Sequence, residues 1–172
     1  PPGKYQVHLE IDGVSQAEEF EVVKDPRVGT SQDDFVAQFT LFKKIRDKLS
    51  ETNDAINDLR NIKVQVDEWV NRSADHASGE TVSSEGKALR EKLSDVEQEL
   101  LQVNYKGERD RLNFPVKLNR KLGELAAVVG SADFAPTKQS VDVFDDLSER
   151  IDVQLDILQH IVDEDLNRFI NI

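Results

Sequence analysis

The stretch that decides the fold runs from Phe35 to Trp69 and reads FVAQFTLFKKIRDKLSETNDAINDLRNIKVQVDEW. Its apolar side chains recur at alternating spacings of three and four residues, which places them on one face of an α-helix. We predict a helix from about Gln32 to Asn71, with Thr30 or Ser31 as its N-cap and Trp69 in the core. At 1.5 Å per residue it extends about 60 Å, so other helices must cover its face. The row is Phe35, Phe39, Phe42, Ile45, Leu49, Thr52, Ile56, Leu59, Ile62, Val66 and Trp69.

Three more rows of this kind follow, separated by segments that interrupt a helix. After a loop over 73–83, the second row is Leu89, Leu93, Val96, Leu100 and Val103, and its helix stops near Asn104. Pro115 suits the first turn of a third helix, whose row is Leu118, Leu122, Leu125 and Val129. The fourth helix starts near Pro136, and its row is Val141, Phe144, Leu147, Ile151, Leu155, Leu158, Val162, Leu166 and Phe169. The chain from 28 to 172 is therefore predicted to be an elongated, mainly α antiparallel helical bundle.

Two arrangements of these helices fit the lengths. If the second and third helices lie end to end, with a break over 104–114 that Phe114 fills, their combined length of roughly 60 to 70 Å matches the first and fourth helices. This arrangement has three rods with an interrupted middle rod, as in spectrin-like bundles. Alternatively, the second and third helices fold into a hairpin and form a four-helix bundle at one end. We favour the three-rod arrangement.

Residues 1–27 follow a different period. Tyr5, Val7, Leu9 and Ile11 alternate with polar residues, and so do Phe20 and Val22, which predicts two strands. Asp12-Gly13 begins the connection, which we expect to continue through Ala17 and to be longer than a two-residue turn. A lone hairpin is marginal in water, and this one resembles the closing strands of an immunoglobulin-like or fibronectin-like β-sandwich. We therefore expect a remnant of such a module that has lost its sheet or that packs against the helices.

Composition excludes several classes of function. The formal net charge of −12 argues against nucleic-acid binding, since phosphate backbones require a clustered basic surface. It also argues against anionic membrane surfaces, and no apolar run is long enough for a membrane span. The chain has no cysteine, which removes disulfides and thiolate metal sites. It also has no methionine and starts Pro1-Pro2-Gly3, so we expect it to be part of a longer protein.

No motif in the chain specifies a reaction. His8, His76 and His160 have no ligand spacing between them, and Asp156 and Glu164 beside His160 form a triplet that is common on acidic helices. No phosphate-binding glycine loop or nucleophile elbow occurs. We therefore expect no catalytic residue, no cofactor and no metal in this chain, and we leave the activity of a longer protein open.

Charge is segregated along the chain. Six carboxylates recur on one face of the fourth helix, and we call them the acidic ridge: Asp142, Asp145, Glu149, Asp152, Asp156 and Asp163. The segment over 106–121 is locally basic, with Lys106, Arg109, Arg111, Lys117, Arg120 and Lys121. The simpler interpretation pairs the two regions within the bundle or leaves both solvated. The functional interpretation makes the ridge an interaction surface for another protein chain.

Four segments of the chain carry a family resemblance. They are Arg111-Leu112-Asn113-Phe114-Pro115-Val116-Lys117-Leu118-Asn119, Ser131-Ala132-Asp133, Pro136-Thr137-Lys138-Gln139 and Asp25-Pro26-Arg27. Together they resemble the C-terminal region of large bacterial proteins with sortilin-like, BNR-repeat β-propellers, often labelled glycosyl hydrolases. The likeness covers essentially the whole chain, and its motifs are not catalytic signatures. The resemblance implies an accessory domain of an exported, periplasmic or secreted protein, whose partners are the N-terminal propeller and the β module of the same polypeptide.

Two hypotheses of function follow. The first is a non-catalytic structural or interaction domain at the C-terminus of a larger exported β-propeller protein. The alternative is an accessory domain of a carbohydrate-active or peptidase-like enzyme, which supplies substrate contacts from the ridge or the loops. Catalysis by this chain is not expected under either hypothesis.

Overall fold

A computed structural model describes the backbone of residues 1–172 and every side chain except those of Glu108 and Arg111. Two strands are followed by helices joined by short non-helical connections, with a 3-10 turn over Glu108–Leu112 and a π-helical segment over Ile161–Leu166. The elements are β1 (Gly3–Ile11), β2 (Val14–Val22), α1 (Gln32–Arg72), α2 (Gly79–Leu100), α3 (Leu118–Val129), α4 (Lys138–His160) and α5 (Asn167–Ile170). The prediction of a helical bundle preceded by a β-hairpin is confirmed.

Helix α1 begins with a capping box. The Ser31 hydroxyl accepts a hydrogen bond from the backbone N–H of Asp34, and the Asp34 carboxylate accepts one from the backbone N–H of Ser31. These bonds satisfy N–H groups that the first helical turn leaves without intrahelical partners. The hydrogen bonds from the side chain and backbone of Ser31 lower the pKa of Asp34. Of the two candidate caps, Ser31 is therefore the one used.

Helices α2 and α3 lie end to end along α1. Near the start of α1, Gln38 Nε2 donates to the carbonyl of Val129 at the end of α3, at 2.7 Å. In the second half of α1, Arg60 pairs with Glu97 of α2. Helix α4 runs parallel to α1, because Lys48 in the first half of α1 meets Asp152 at 2.7 Å, and Trp69 near the end of α1 lines one cleft with Phe169, which follows α4. The bundle therefore has three rods with an interrupted middle rod, and the four-helix arrangement is not adopted.

The core is continuous along the three rods. Its central side chains are completely buried: Ile45, Leu59, Leu93, Leu100, Leu122 and Ile151. At the end where α1 closes on α2, Gly86 allows a close approach, since a Cβ atom there would lie 2.6 Å from Val70 Cγ2. The apolar rows of the sequence therefore converge on one core.

The ends of several elements differ from the sequence prediction. Helix α2 starts inside the expected loop over 73–83 and ends at Leu100, so Val103 lies outside the helix and is exposed. Helix α3 begins at Leu118, and Pro115 precedes it instead of entering its first turn. Phe114 is partly buried in the break, where its ring centroid lies 6.4 Å from that of Tyr105. Propensity locates such boundaries poorly, because helix ends depend on which backbone groups find partners.

The last rod changes its helical period near the C-terminus. The π-helical segment has more residues per turn than an α-helix, and Ile161 at its start is buried although the apolar row omits it. Val162 and Leu166 of the predicted row are only partly buried, whereas Phe169 returns to the core. The segment also brings Asp165 to Lys92 of α2, at 2.7 Å.

The hairpin has a tight turn, which corrects the prediction of a longer connection. Ile11 pairs with Val14 in an antiparallel ladder that continues to Gly3 and Val22. Asp12 and Gly13 both have positive φ angles, of 52° and 80°, as a two-residue type I′ turn requires. Residues 15–19 lack apolar alternation, yet they extend β2 because the turn sets the register of the whole ladder.

Candidate interaction surfaces

The acidic ridge is exposed along its whole length. Asp142 pairs with Lys138 at 2.6 Å within the same helix, and Asp152 pairs with Lys48 of α1. Asp163 accepts a hydrogen bond from Gln159 Nε2 at 3.0 Å. Among the described side chains, the ion pairs of α4 involve Asp142, Asp146 and Asp152, and no cation meets Asp145, Glu149 or Asp156. The ridge is therefore partly neutralised and fully solvated.

The ridge and the basic segment do not pair among the described side chains. Lys117 pairs instead with Glu99 of α2 at 3.0 Å, and Arg120 pairs with Glu124 of α3 at 2.8 Å. The side chain of Arg111 lies outside the described residues. Of the two simpler possibilities, pairing of the two regions is not observed among the described side chains, and the ridge is solvated. The two basic residues are not simply solvated either, since each forms an ion pair with an acidic residue outside the ridge.

A second acidic row, which the sequence analysis missed, lies in a groove between α1 and α4. The groove has a volume of about 970 Å³, and Leu155, Leu158 and Val162 of α4 are among its apolar lining residues. Four carboxylates of α1 line it: Asp47, Glu51, Asp54 and Asp58. Their spacings of four, three and four residues were the available signal, because such positions share one helix face. No basic side chain lines this groove among the described residues, although Asp47 pairs with Arg46 and Glu51 pairs with Lys48 at its edge.

One carboxylate is buried inside the bundle and is structural. Glu97 accepts hydrogen bonds from Lys63 Nζ at 2.7 Å and from Arg60 Nε at 2.6 Å. Burial by itself would raise the pKa of Glu97, but the hydrogen bonds and charges of Lys63 and Arg60 outweigh it and hold the pKa below its ordinary value. Both carboxylate oxygens are engaged between α1 and α2, so this group ties two rods together.

One face of the hairpin is apolar and uncovered. The ladder register places the odd residues of β1 and the even residues of β2 on the same side. The apolar members of this side, which we call the hairpin face, are between 39% and 68% exposed. They are Tyr5, Val7, Leu9, Ile11, Val14, Phe20 and Val22. Of the two alternatives left by the sequence, packing of this face against the helices is therefore not observed.

The expectation that Trp69 is a core residue is wrong, since its side chain is 57% exposed. A strict spacing of 3.5 residues drifts by about 20° per heptad around a straight helix. Phe39 and Trp69, near opposite ends of the row, therefore turn out of the interface, and Phe39 is 50% exposed. Trp69 and Phe169 both line a cleft of about 370 Å³ at this end of the bundle. We call this cleft the distal cleft.

The described residues contain no group of three or more His, Asp and Glu side chains that converge as metal ligands do. Among the described helices, none combines the length and apolarity needed to cross a bilayer. Comparison of the chain with protein-family models, curated proteins and solved structures finds no match. Proposals about function therefore rest on the surfaces described above.

Proposed function

We propose that this chain is a non-catalytic structural and interaction domain, at the C-terminus of a larger exported β-propeller protein, and that its hairpin docks against a β module of the same polypeptide. The observation that carries the proposal is the uncovered hairpin face. Apolar patches of a few hundred Å² on a folded protein commonly mark interaction surfaces. The link to a propeller protein and to export rests on the resemblance of the sequence motifs.

The attachment of the hairpin supports this proposal. Its contacts with the bundle are at its base, where Gln32 Nε2 donates to the carbonyl of Pro2 at 2.9 Å. Lys24, which follows β2 in the chain, donates a hydrogen bond from its Nζ atom to the carbonyl of Thr30 at 3.0 Å. An isolated two-stranded hairpin is marginally stable, so a third layer or strand would stabilise it. The two outer strand edges are also available for strand addition.

Apolar surface continues from the hairpin onto the end of the bundle. A cleft of about 350 Å³ lies at the junction, and Val22, Val23, Phe39 and Phe42 line it. Val23 is 75% exposed and Phe42 is 42% exposed. A β module that covers the hairpin face would meet this surface as well, so one docking event would bury both.

The acidic ridge and the groove between α1 and α4 provide a separate charged surface. Carboxylates that face solvent attract a basic partner over a distance of about one Debye length. This surface is on the helical rods, away from the hairpin face, so it would serve a further protein chain. The two surfaces together fit a domain whose role is assembly.

The size of the native polypeptide provides the first test. Antibodies raised against this 19.5 kDa chain should detect a much larger protein in the exported fraction of the source cells. A band at 19.5 kDa in the cytoplasmic fraction would contradict the proposal. Turnover of a glycan or peptide substrate by this chain, lost on substitution of one carboxylate, would contradict its non-catalytic part.

The docking itself is tested by matched variants in the native polypeptide. Leu9→Glu places a charge on the hairpin face, while His8→Glu places one on the opposite side of the same strand. We expect limited proteolysis to release the helical bundle from the Leu9→Glu protein and to leave the His8→Glu protein intact. Equal release from both variants would show that the hairpin face does not hold the bundle in place.

A further inference from the structure

We propose that the distal cleft binds a small amphipathic carboxylate, a molecule that joins one carboxylate to an apolar body. This inference goes beyond the proposed assembly role and does not depend on it, because the cleft lies at the end of the bundle remote from the hairpin. It rests on the apolar lining of the cleft, on one unpaired cation, and on the absence of a carboxylate side chain from the lining residues that the structure describes.

The apolar lining of the cleft provides the surface against which the apolar body of the ligand would pack. Trp69, Val82, Phe169, Ile170 and Ile172 supply aromatic and aliphatic surface. Trp69 and Ile170 are 57% and 67% exposed although they adjoin the buried ring of Phe169. The volume of about 370 Å³ is at the lower end of the range of roughly 300–1,000 Å³ for small-molecule pockets. The cleft therefore suits a ligand of modest size.

Arg72 provides the positive charge that would bind the carboxylate of the ligand. Its Cζ atom lies 4.6 Å from the centre of the Trp69 ring, a distance at which the ring attracts the cation and orients the planar guanidinium. Arg72 Nε donates to the carbonyl of Glu68 at 3.4 Å, and its terminal nitrogens have no acceptor among the described residues. Two parallel N–H groups match the two oxygens of a carboxylate.

His76 adds a second donor in the same cleft. Its Nδ1 atom accepts a hydrogen bond from the backbone N–H of Ser78 at 3.4 Å. In the neutral ring this leaves the proton on Nε2, which can then donate to a ligand oxygen. The cleft thus presents donors from two side chains in a chain of net charge −12, where most of the surface would repel an anion.

The chain carries its own reporter, because Trp69 is its single tryptophan. Titration with octanoate should change the Trp69 fluorescence in a saturable way, and octanamide, its neutral counterpart, should bind about tenfold more weakly. Arg72→Gln should weaken octanoate to the level of octanamide and leave octanamide unchanged. Arg150→Gln, at an exposed site in the middle of α4, should behave like the unaltered chain. Circular dichroism checks that both variants are folded.

Three outcomes would overturn the proposal. The first is no saturable change up to about 10 mM octanoate, which is the range of very weak binding. The second is equal affinity for octanoate and octanamide, or an unaltered octanoate affinity in Arg72→Gln, since either would remove the role of the charge. The third is a dimer in sedimentation that Ile170→Asp converts to a monomer, because a second copy would then cover the cleft.

Discussion

The helical bundle and the hairpin place similar apolar side chains in opposite environments. Leu93 and Ile151 in the bundle are completely buried, whereas Leu9 and Ile11 in β1 are 58% and 60% exposed. Each region has a regular apolar period in its sequence. In the bundle every apolar face meets two other rods, while the two-stranded ladder has no second layer. A periodic pattern therefore predicts which face is apolar, but it does not predict whether that face is covered.

The largest expected effect comes from a matched pair of leucines. Leu93→Ala should reduce the free energy of unfolding by about 2–5 kcal/mol, because it leaves a cavity between rods. Leu9→Ala should change it by less than about 0.5 kcal/mol, since its side chain is already in water. Urea unfolding followed by helical circular dichroism measures both. Similar losses in the two variants would mean that the hairpin face is covered in solution.

A second pair separates a buried carboxylate from an exposed one on the same helix. Glu97→Ala leaves Lys63, itself largely buried, without its partner and should cost about 1–3 kcal/mol. Glu99→Ala removes the exposed pair with Lys117 and should cost less than about 0.5 kcal/mol. The comparison uses the same unfolding measurement. A cost for Glu99→Ala as large as that for Glu97→Ala would contradict the assigned role.

The contribution of Glu97 to stability should depend on pH in a way that follows from the direction in which folding shifts its pKa. Since folding lowers that pKa, the stabilisation is fully present above the ordinary value of 4.5 and is lost as the pH falls through the lower value of the folded chain. The stability difference between the unaltered chain and Glu97→Gln should therefore shrink on acidification below pH 4.5. A difference that stays constant down to pH 2 would show that the charge of Glu97 is not what binds the rods.

Alanine substitution at two glycines within helices should change the stability of the bundle in opposite directions. A Cβ atom at Gly86 would lie 2.6 Å from Val70 Cγ2 and 3.3 Å from Phe169 Cε2, so Gly86→Ala should cost about 1–3 kcal/mol. A Cβ atom at Gly123 in α3 would meet nothing within 4 Å, so Gly123→Ala should stabilise by about 0.4–1 kcal/mol. Thermal unfolding distinguishes the two. A stabilising Gly86→Ala would mean that α1 and α2 are farther apart there.

The smallest effect on the bundle is expected from the hairpin turn. Gly13 has a φ angle of 80°, where a Cβ atom costs about 1–2 kcal/mol, so Gly13→Ala should weaken the hairpin. The melting temperature of the helices should remain unchanged, while nuclear Overhauser contacts between the stacked rings of Tyr5 and Phe20 should weaken. A lower melting temperature of the bundle would show that the two regions are coupled.

Local sequence signals predicted much of the fold. The apolar rows located the helices, the lengths favoured three rods, and Ser31 was one of two expected caps. The tight turn at Asp12-Gly13 was missed, because residues 15–19 have too little apolar alternation to suggest a strand. The change of period at Ile161 was also missed, since a π-helical segment has no simple sequence signal. The spacing of its carboxylates predicted the acidic ridge on one face of the fourth helix. The acidic row of the groove has the same kind of spacing along the first helix, but it was overlooked.

The amino-acid sequence by itself determined which faces are apolar, where the helices run and where charge accumulates. These properties depend on residues a few positions apart, so their spacing is sufficient to read them. Only the tertiary structure decided that Glu97 meets Lys63 and Arg60, that Trp69 turns out of the core, and that Phe169 comes to lie beside Trp69. Those contacts join distant segments, and small rotations accumulated along rods of about 60 Å determine which side chains finally meet.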